Sequence, residues 1–189
     1  MSVERIRTGS LSLYVEGVKI LNEMRGGFMD ASTYTSVVDH TIIVCTDAVI
    51  VETQRKTFFL AKRAVRPMKG LWWIGGRRRK GEVPVEAMRR TFLRETNLDI
   101  SSERFIFTAI TEYLWRDREQ EPCNRGSHNL CHQFVVELTQ QERALAASNL
   151  DTHEYERDYG LKEFDRPSLV AHDVHPVILE TYDELFPIQ

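Results

Sequence analysis

Hydrophobic side chains along this chain change period several times, and each change marks an element. In residues 11–24 the apolar positions Leu13, Val18, Ile20 and Leu21 fit a helix, and Arg25-Gly26-Gly27 follows as a stop, so the spacing predicts an amino-terminal helix. Residues 37–51 and Thr57–Arg63 are dense in Val, Ile and Phe, and the polar residues 52–56 between them predict a hairpin. Leu71-Trp72-Trp73-Ile74 reads as a strand, Gly75-Gly76 and the basic residues 77–80 as a loop, and residues 83–98 as a helix. Pro84 suits an early helical turn, where its missing N–H costs nothing, and Val85, Met88 and Phe92 form one apolar stripe.

Residues 105–115 and 131–138 predict two more strands, separated by a polar loop at 116–130 that is long enough to act as a lid. Residues 140–147 read as a helix and 153–159 as a charged loop. Residues 176–186 read as a closing helix carrying Val177, Leu179, Tyr182, Leu185 and Phe186. Strands and helices mix without a regular βαβ alternation, which favours an α/β sandwich around a mixed sheet over a doubly wound parallel fold. The expected division is a helical extension at 1–35 followed by one domain at 36–189.

Composition narrows the function. With 42% hydrophobic and 28% charged residues, a net charge of -3 and a pI near 6.1, the chain has ordinary globular character and no bulk affinity for nucleic acid or membrane. Its longest apolar run, at 41–51, is interrupted by Asp47 and falls far short of the roughly 20 residues that span a bilayer. The first ten residues lack the apolar core of a secretion signal, so the expected location is the cytoplasm. Three cysteines, Cys45, Cys123 and Cys131, make a disulfide framework an unlikely design. Cys123, His128, Cys131 and His132 could be drawn as a zinc site, but they lack the paired C-x-x-C form, and a polar loop leading into a strand accounts for them equally.

The chemistry concentrates in Gly76, Glu82, Arg90, Glu95 and Leu98. Any one of these fits an ordinary amphipathic helix with a charged face, but their joint spacing resembles the signature of the Nudix family, G-x5-E-x7-R-E-U-x-E-E-x-G-U with U a bulky aliphatic residue. The chain departs from it at Thr91, Arg94 and Asn97, where the family has Glu, Glu and Gly. Positions 91, 94 and 95 lie on neighbouring rows of one helix, where family members gather carboxylates for hard divalent ions. The resemblance therefore implies a thinner magnesium site, with manganese as a substitute: Glu95, a main-chain carbonyl near Gly75, and phosphate oxygens of the substrate. Arg94 works against it, because two unit charges about 4 Å apart still interact by roughly 4 kcal/mol at an effective dielectric of 20.

A second stretch, Ala61-Lys62-Arg63-Ala64-Val65-Arg66-Pro67 with Gly70-Leu71-Trp72-Trp73 and Gly75-Gly76-Arg77, is similar to the GDP-mannose mannosyl hydrolase subgroup of that family. That subgroup also lacks the first two helix glutamates, and it breaks the bond at the sugar's anomeric carbon. By this resemblance Arg63, Arg77 and Arg90 face the departing diphosphate and Asp47 lies near the sugar; Arg66, beside them in the sequence, is added as a further substrate contact. Alignment on Asp158-Tyr159 puts Glu156 where the subgroup has its base, with His153 three residues earlier as the alternative. A proline expected before Gly75-Gly76 is replaced by Ile74. The resemblance implies a homodimeric hydrolase of a nucleoside diphosphate linked to another moiety. Two alternatives stand beside it: a pyrophosphohydrolase cutting between phosphates, and a binding module that has lost its catalytic metal.

Overall fold

The computed structural model describes residues 3–8, 11–16 and 19–187. Its frame is a seven-stranded mixed sheet in which β3 (Ile43–Glu52) is central. Along its whole length β3 runs parallel to β8 (Ser127–Glu137), which pairs antiparallel with β7 (Ile106–Trp115) at one edge. The other side of β3 is shared by two antiparallel partners. Its end meets β4 (Thr57–Arg63) and its beginning meets β6 (Ile74–Arg77). Outward from β4 lie β5 (Gly70–Trp72) and β9 (Lys162–Phe164).

Period-two alternation gives β3 and β4 two buried faces. Ala48, Ile50, Phe59 and Ala61 point to one core, where Met88 and Phe92 of helix α3 (Pro84–Thr96) close the layer. Val49, Val51, Phe58 and Leu60 point to the other, covered by α5 (Arg166–Ala171) and α6 (Pro176–Leu185) through Leu169, Ile178 and Tyr182. A strand buried on both sides needs an unbroken apolar run, which Ala48, Val49, Ile50 and Val51 supply. The result is the expected α/β sandwich around a mixed sheet.

The amino-terminal third corrects the sequence reading. Residues 11–24 are not one helix: β1 (Val3–Thr8) and β2 (Leu11–Glu16) form a two-stranded hairpin, and only α1 (Lys19–Glu23) is helical. Leu11, Leu13 and Val15 alternate with Ser12, Tyr14 and Glu16, and the apolar set turns inward. Residues 37–40 belong to helix α2 (Ala31–His40) and not to the first long strand, because Asp30 caps that helix through Oδ1, accepting from the N–H groups of Ser32 and Thr33 at 3.0 Å each. The expected boundary between residues 35 and 36 therefore falls inside a helix. Residues 127–130 extend β8 and shorten the presumed lid loop, and Trp73 divides the expected strand 71–74 into β5 and β6. β9 and α5 lie in a stretch where no element was expected, and α4 (Gln140–Ser148) opens on a capping box built by Thr139 and Glu142.

Helix α3 carries both core and site. Pro84 opens it, and Asn97 closes it in the left-handed conformation, donating its N–H to Leu93 O at 2.8 Å. Phe92 is wholly buried and meets Phe105 edge-on at 5.6 Å between ring centroids. Phe92→Ala should lower the unfolding free energy by about 3–5 kcal/mol in urea denaturation; a loss below about 1 kcal/mol would show that this face is not core.

Candidate functional site

A cavity of about 420 Å³ opens where the start of β3, the end of β4, the β5–β6 turn, the last turns of α3, the end of β7 and the start of β8 converge. Helix α2 supplies a further wall through Tyr34 and Val38. Seven arginines line it, at 63, 66, 77, 79, 90, 94 and 118, against three carboxylates, Asp47, Glu119 and Glu154. In a chain whose net charge is -3, this is a concentrated cationic surface. Nine buried side-chain polar atoms lack a hydrogen-bond partner among the described residues, and six belong to residues lining this cavity: Asp47, Arg63, Trp73, Arg77, Tyr113 and Arg118. Such groups cost free energy unless something polar reaches them.

The strand register builds the floor. Asp47 of β3 lies opposite Gly75 of β6, and a Cβ at Gly75 would sit 2.1 Å from Asp47 Oδ1 and 2.7 Å from Thr46 O. Gly75 is thus the space that the Asp47 carboxylate occupies. Asp47 is 5% exposed, and burial pushes its pKa up to about 6, against the opposing pull of the Cys131 thiol and the Arg63 charge. Of the three cavity carboxylates, Glu119 accepts the Arg66 N–H and Glu154 accepts Arg63 Nη2 at 3.1 Å, whereas Asp47 Oδ2 has no hydrogen-bond partner.

Glu95 sits one helical turn below Thr91 with a wholly buried side chain. Oε1 accepts a bond from Arg94 Nη2 and Oε2 accepts one from Tyr155 Oη. Burial pushes its pKa up to about 7, with the Arg94 charge and the Tyr155 hydroxyl pulling the other way. Tyr155 reaches this point because residues 151–156 are tied down by main-chain bonds: Asp151 N to Glu95 O, Ala64 N to Glu154 O, and Glu156 N to Lys62 O, all 2.8–2.9 Å.

These contacts engage the carboxylate expected to hold magnesium or manganese. Both Glu95 oxygens are engaged, Thr91 is neutral, and no group of three His, Cys, Asp or Glu side chains suited to a metal occurs among the described residues. The donor set does not fit a hard divalent ion, which wants several free oxygen ligands. Cys123, His128, Cys131 and His132 likewise form no metal-binding group among the described residues. His128 instead pairs with Glu112 at 3.1 Å, and all three cysteines are free.

Arg90 is a brace. Its Nη2 donates to Glu82 Oε2 at 2.9 Å and to Arg77 O at 3.0 Å, while Glu82 also accepts the Arg79 N–H at 2.7 Å. The spacing Glu82-x7-Arg90 thereby fixes the loop at 77–82. Arg77 stacks on Tyr34, with 3.7 Å from guanidinium carbon to ring centroid, and keeps Nη1 unpartnered. Arg63 and Arg66 also line the cavity. Glu156 and His153 do not: both are exposed, Glu156 pairs with Lys62 at 3.0 Å, and the neighbouring residue that does face the cavity is Glu154. Residues 152–154 and 157–159 form turns on either side of the single bridge between Tyr155 and Arg63, so the side chains here do not alternate as they would in a strand.

Sequence reasoning missed Tyr155, Glu154, Tyr34 and Arg118. Arg118 is 1% exposed and bonds Asp39 at 2.6 Å. It also missed the aromatic wall of Trp72, Tyr113 and Trp115, in which the last two rings stack at 5.2 Å. A tyrosine inside a charged loop and an arginine inside an acidic one were the available signals.

A mixed sheet between helical layers, with a cation-lined cavity against a strand–loop–helix segment, defines a domain suited to small anionic ligands. The chain matches the family model described as the NUDIX domain over residues 42–174, well over half its length, and it belongs to that family. Solved structures share the fold. The dihydroneopterin triphosphate pyrophosphohydrolase of E. coli is 14% identical with a TM-score of 0.51, covering 76% of this chain and 97% of its own. A MutT NUDIX hydrolase from Burkholderia pseudomallei is 18% identical with a TM-score of 0.51, covering 78% and 99%. A mutT/nudix family protein from Listeria innocua is 19% identical with a TM-score of 0.50, covering 78% and 94%. No helix among the described residues is long and apolar enough to cross a membrane.

Asp47 links the site to stability. Its pKa is raised in the folded chain, so between about pH 4 and pH 6 the folded state binds more protons than the unfolded one and stability falls as pH rises. The shift from 3.8 to about 6 corresponds to a cost of about 3 kcal/mol once both states are ionised. The unfolding free energy of Asp47→Asn minus that of the wild type should therefore grow by about 2–3 kcal/mol from pH 4 to pH 7. A difference that stays constant over this range would contradict the raised pKa.

Proposed function

We propose that this chain hydrolyses a nucleoside diphosphate linked to another moiety, with a nucleotide-sugar as the substrate class. The observation that carries the reading is the cavity itself, where seven arginines oppose three carboxylates in an otherwise acidic protein. A diphosphate is the group whose charge and multiple acceptor oxygens suit clustered guanidiniums. The sugar assignment rests on the likeness of residues 61–77 to the mannosyl hydrolase subgroup.

Asp47 takes the role first given to Glu156 or His153. It is the cavity carboxylate with a free oxygen, and burial puts its pKa near neutrality, where a base can both hold and release a proton. In the proposed reaction a water oxygen bonds to the anomeric carbon and the bond from that carbon to the diphosphate oxygen breaks. The electron pair leaves with the diphosphate, and Asp47 accepts the water's proton. Arg63, Arg77 and Arg94 stabilise the growing charge on the leaving group. Trp72 and Trp115 line the cavity wall against which the sugar or base would lie.

A homodimer working in the cytoplasm completes this reading. Ile106, Ile110 and Leu114, exposed at 59%, 52% and 78% on the open face of edge strand β7, are the surface we assign to the second copy.

The test is a panel of nucleoside diphosphate sugars incubated in oxygen-18 water. Label in the free sugar supports attack at carbon; label in phosphate supports the pyrophosphohydrolase alternative. Tight nucleotide binding with no turnover of any compound would establish a binding module instead. Asp47→Asn should lower kcat by about 10²- to 10⁴-fold while GDP binding is retained; unchanged turnover would remove Asp47 as the base.

A further inference from the structure

We propose that the Arg94 guanidinium stands where a divalent ion would otherwise sit, so that this cavity binds a nucleoside diphosphate without metal. The inference rests on reading the cavity as a diphosphate site, and it concerns how that site obtains its positive charge.

Accessibility decides between the two candidates for contact with the ligand. Adjacent residues on α3 present opposite charges, yet the Arg94 side chain is 43% exposed and lines the cavity whereas the Glu95 side chain is 1% exposed. The carboxylate is shielded and the cation is open. Tyr155 keeps it so, because its hydroxyl takes Glu95 Oε2 while Arg94 takes Oε1, and Glu95 is not among the residues that line the cavity. The glycine floor lets the guanidinium approach: a Cβ at Gly76 would lie 3.1 Å from Arg94 Nη2 and 3.0 Å from Thr91 Cγ2. Thr91 adds no charge to attract a metal, and no three-residue metal-binding group exists among the described residues.

The chemistry is consistent with a fixed cation. A guanidinium stays charged at every physiological pH and presents five donors in a plane. One donor is spent on Glu95; the others can reach phosphate oxygens. Arg94 differs from an ion in one testable respect. A metal site gains affinity when magnesium accompanies the nucleotide, whereas an arginine site loses attraction, because magnesium cancels charge on the diphosphate that the guanidiniums would otherwise meet.

Calorimetric titration of the full chain with GDP, once in EDTA and once in excess magnesium chloride, separates the two. The expected result is a dissociation constant in EDTA equal to or lower than that in magnesium. Arg94→Gln should weaken GDP binding roughly tenfold to a hundredfold in both buffers, the range for losing a charge-assisted hydrogen bond, and Arg94→Lys should recover part of it. Arg94→Glu, which sets a second carboxylate beside Glu95, should acquire manganese binding by electron paramagnetic resonance in the presence of GDP.

A tenfold or greater tightening by magnesium in the wild type would overturn the proposal, as would manganese binding in the wild type that disappears in Glu95→Gln. The wild-type comparison stands alone should a variant fail to fold. If inorganic pyrophosphate binds in EDTA but GDP binds in neither buffer, the metal-free site holds and the nucleoside assignment falls. If neither binds in either buffer, the site is not a diphosphate site and the inference falls with it. Turnover enters none of these readouts, so a chain that binds without hydrolysing would refute the proposed activity and leave the binding mode intact.

Discussion

A buried carboxylate held between a guanidinium and a phenol organises the functional half of this domain. Glu95 would be costly to bury alone; Arg94 and Tyr155 take one oxygen each and offset that cost. Three consequences follow from the pair of contacts. Residues 151–156 are drawn onto the last turn of α3 and the end of β4, Glu154 is set against Arg63, and the Arg94 guanidinium is turned toward the cavity. Removing one partner would leave a buried charge uncompensated, so these features stand or fall together.

The opposite corner shows the same economy. Gly75 makes room for the Asp47 carboxylate, and Glu82 with Arg90 fixes the loop that carries Arg77 over Tyr34. Both corners keep groups in states that folding alone would not favour: an aspartate pushed up to about 6 and a set of buried donors without partners. Proteins retain such costs where ligands are bound, and here they collect around one cavity.

What was legible in the sequence follows the range of the interactions. The sheet, its two apolar faces and α3 were readable because alternation along β3 and β4 and the stripe Val85, Met88 and Phe92 are local patterns. Glu82 and Arg90 were legible as a spaced pair, although their structural role as a brace was not. The amino-terminal helix was misread because Leu13, Val18, Ile20 and Leu21 fit a helix while Leu11, Leu13 and Val15 fit a strand equally, and pairing with β1 decided the matter. Asp30 before Ser32 and Thr33 was a readable cap that would have revealed α2. The Tyr155–Glu95 contact spans 60 residues, and no local period announces it. For the same reason an alignment on Asp158-Tyr159 pointed to Glu156, while the fold presents Glu154.

A crystal of the full chain grown with GDP and soaked in manganese tests the cationic site most directly, through the anomalous scattering of the metal. The diphosphate should lie against the Arg94 guanidinium with Tyr155 still bonded to Glu95 and no anomalous peak beside that carboxylate. A peak bound to a Glu95 oxygen, with Arg94 swung away, would contradict it.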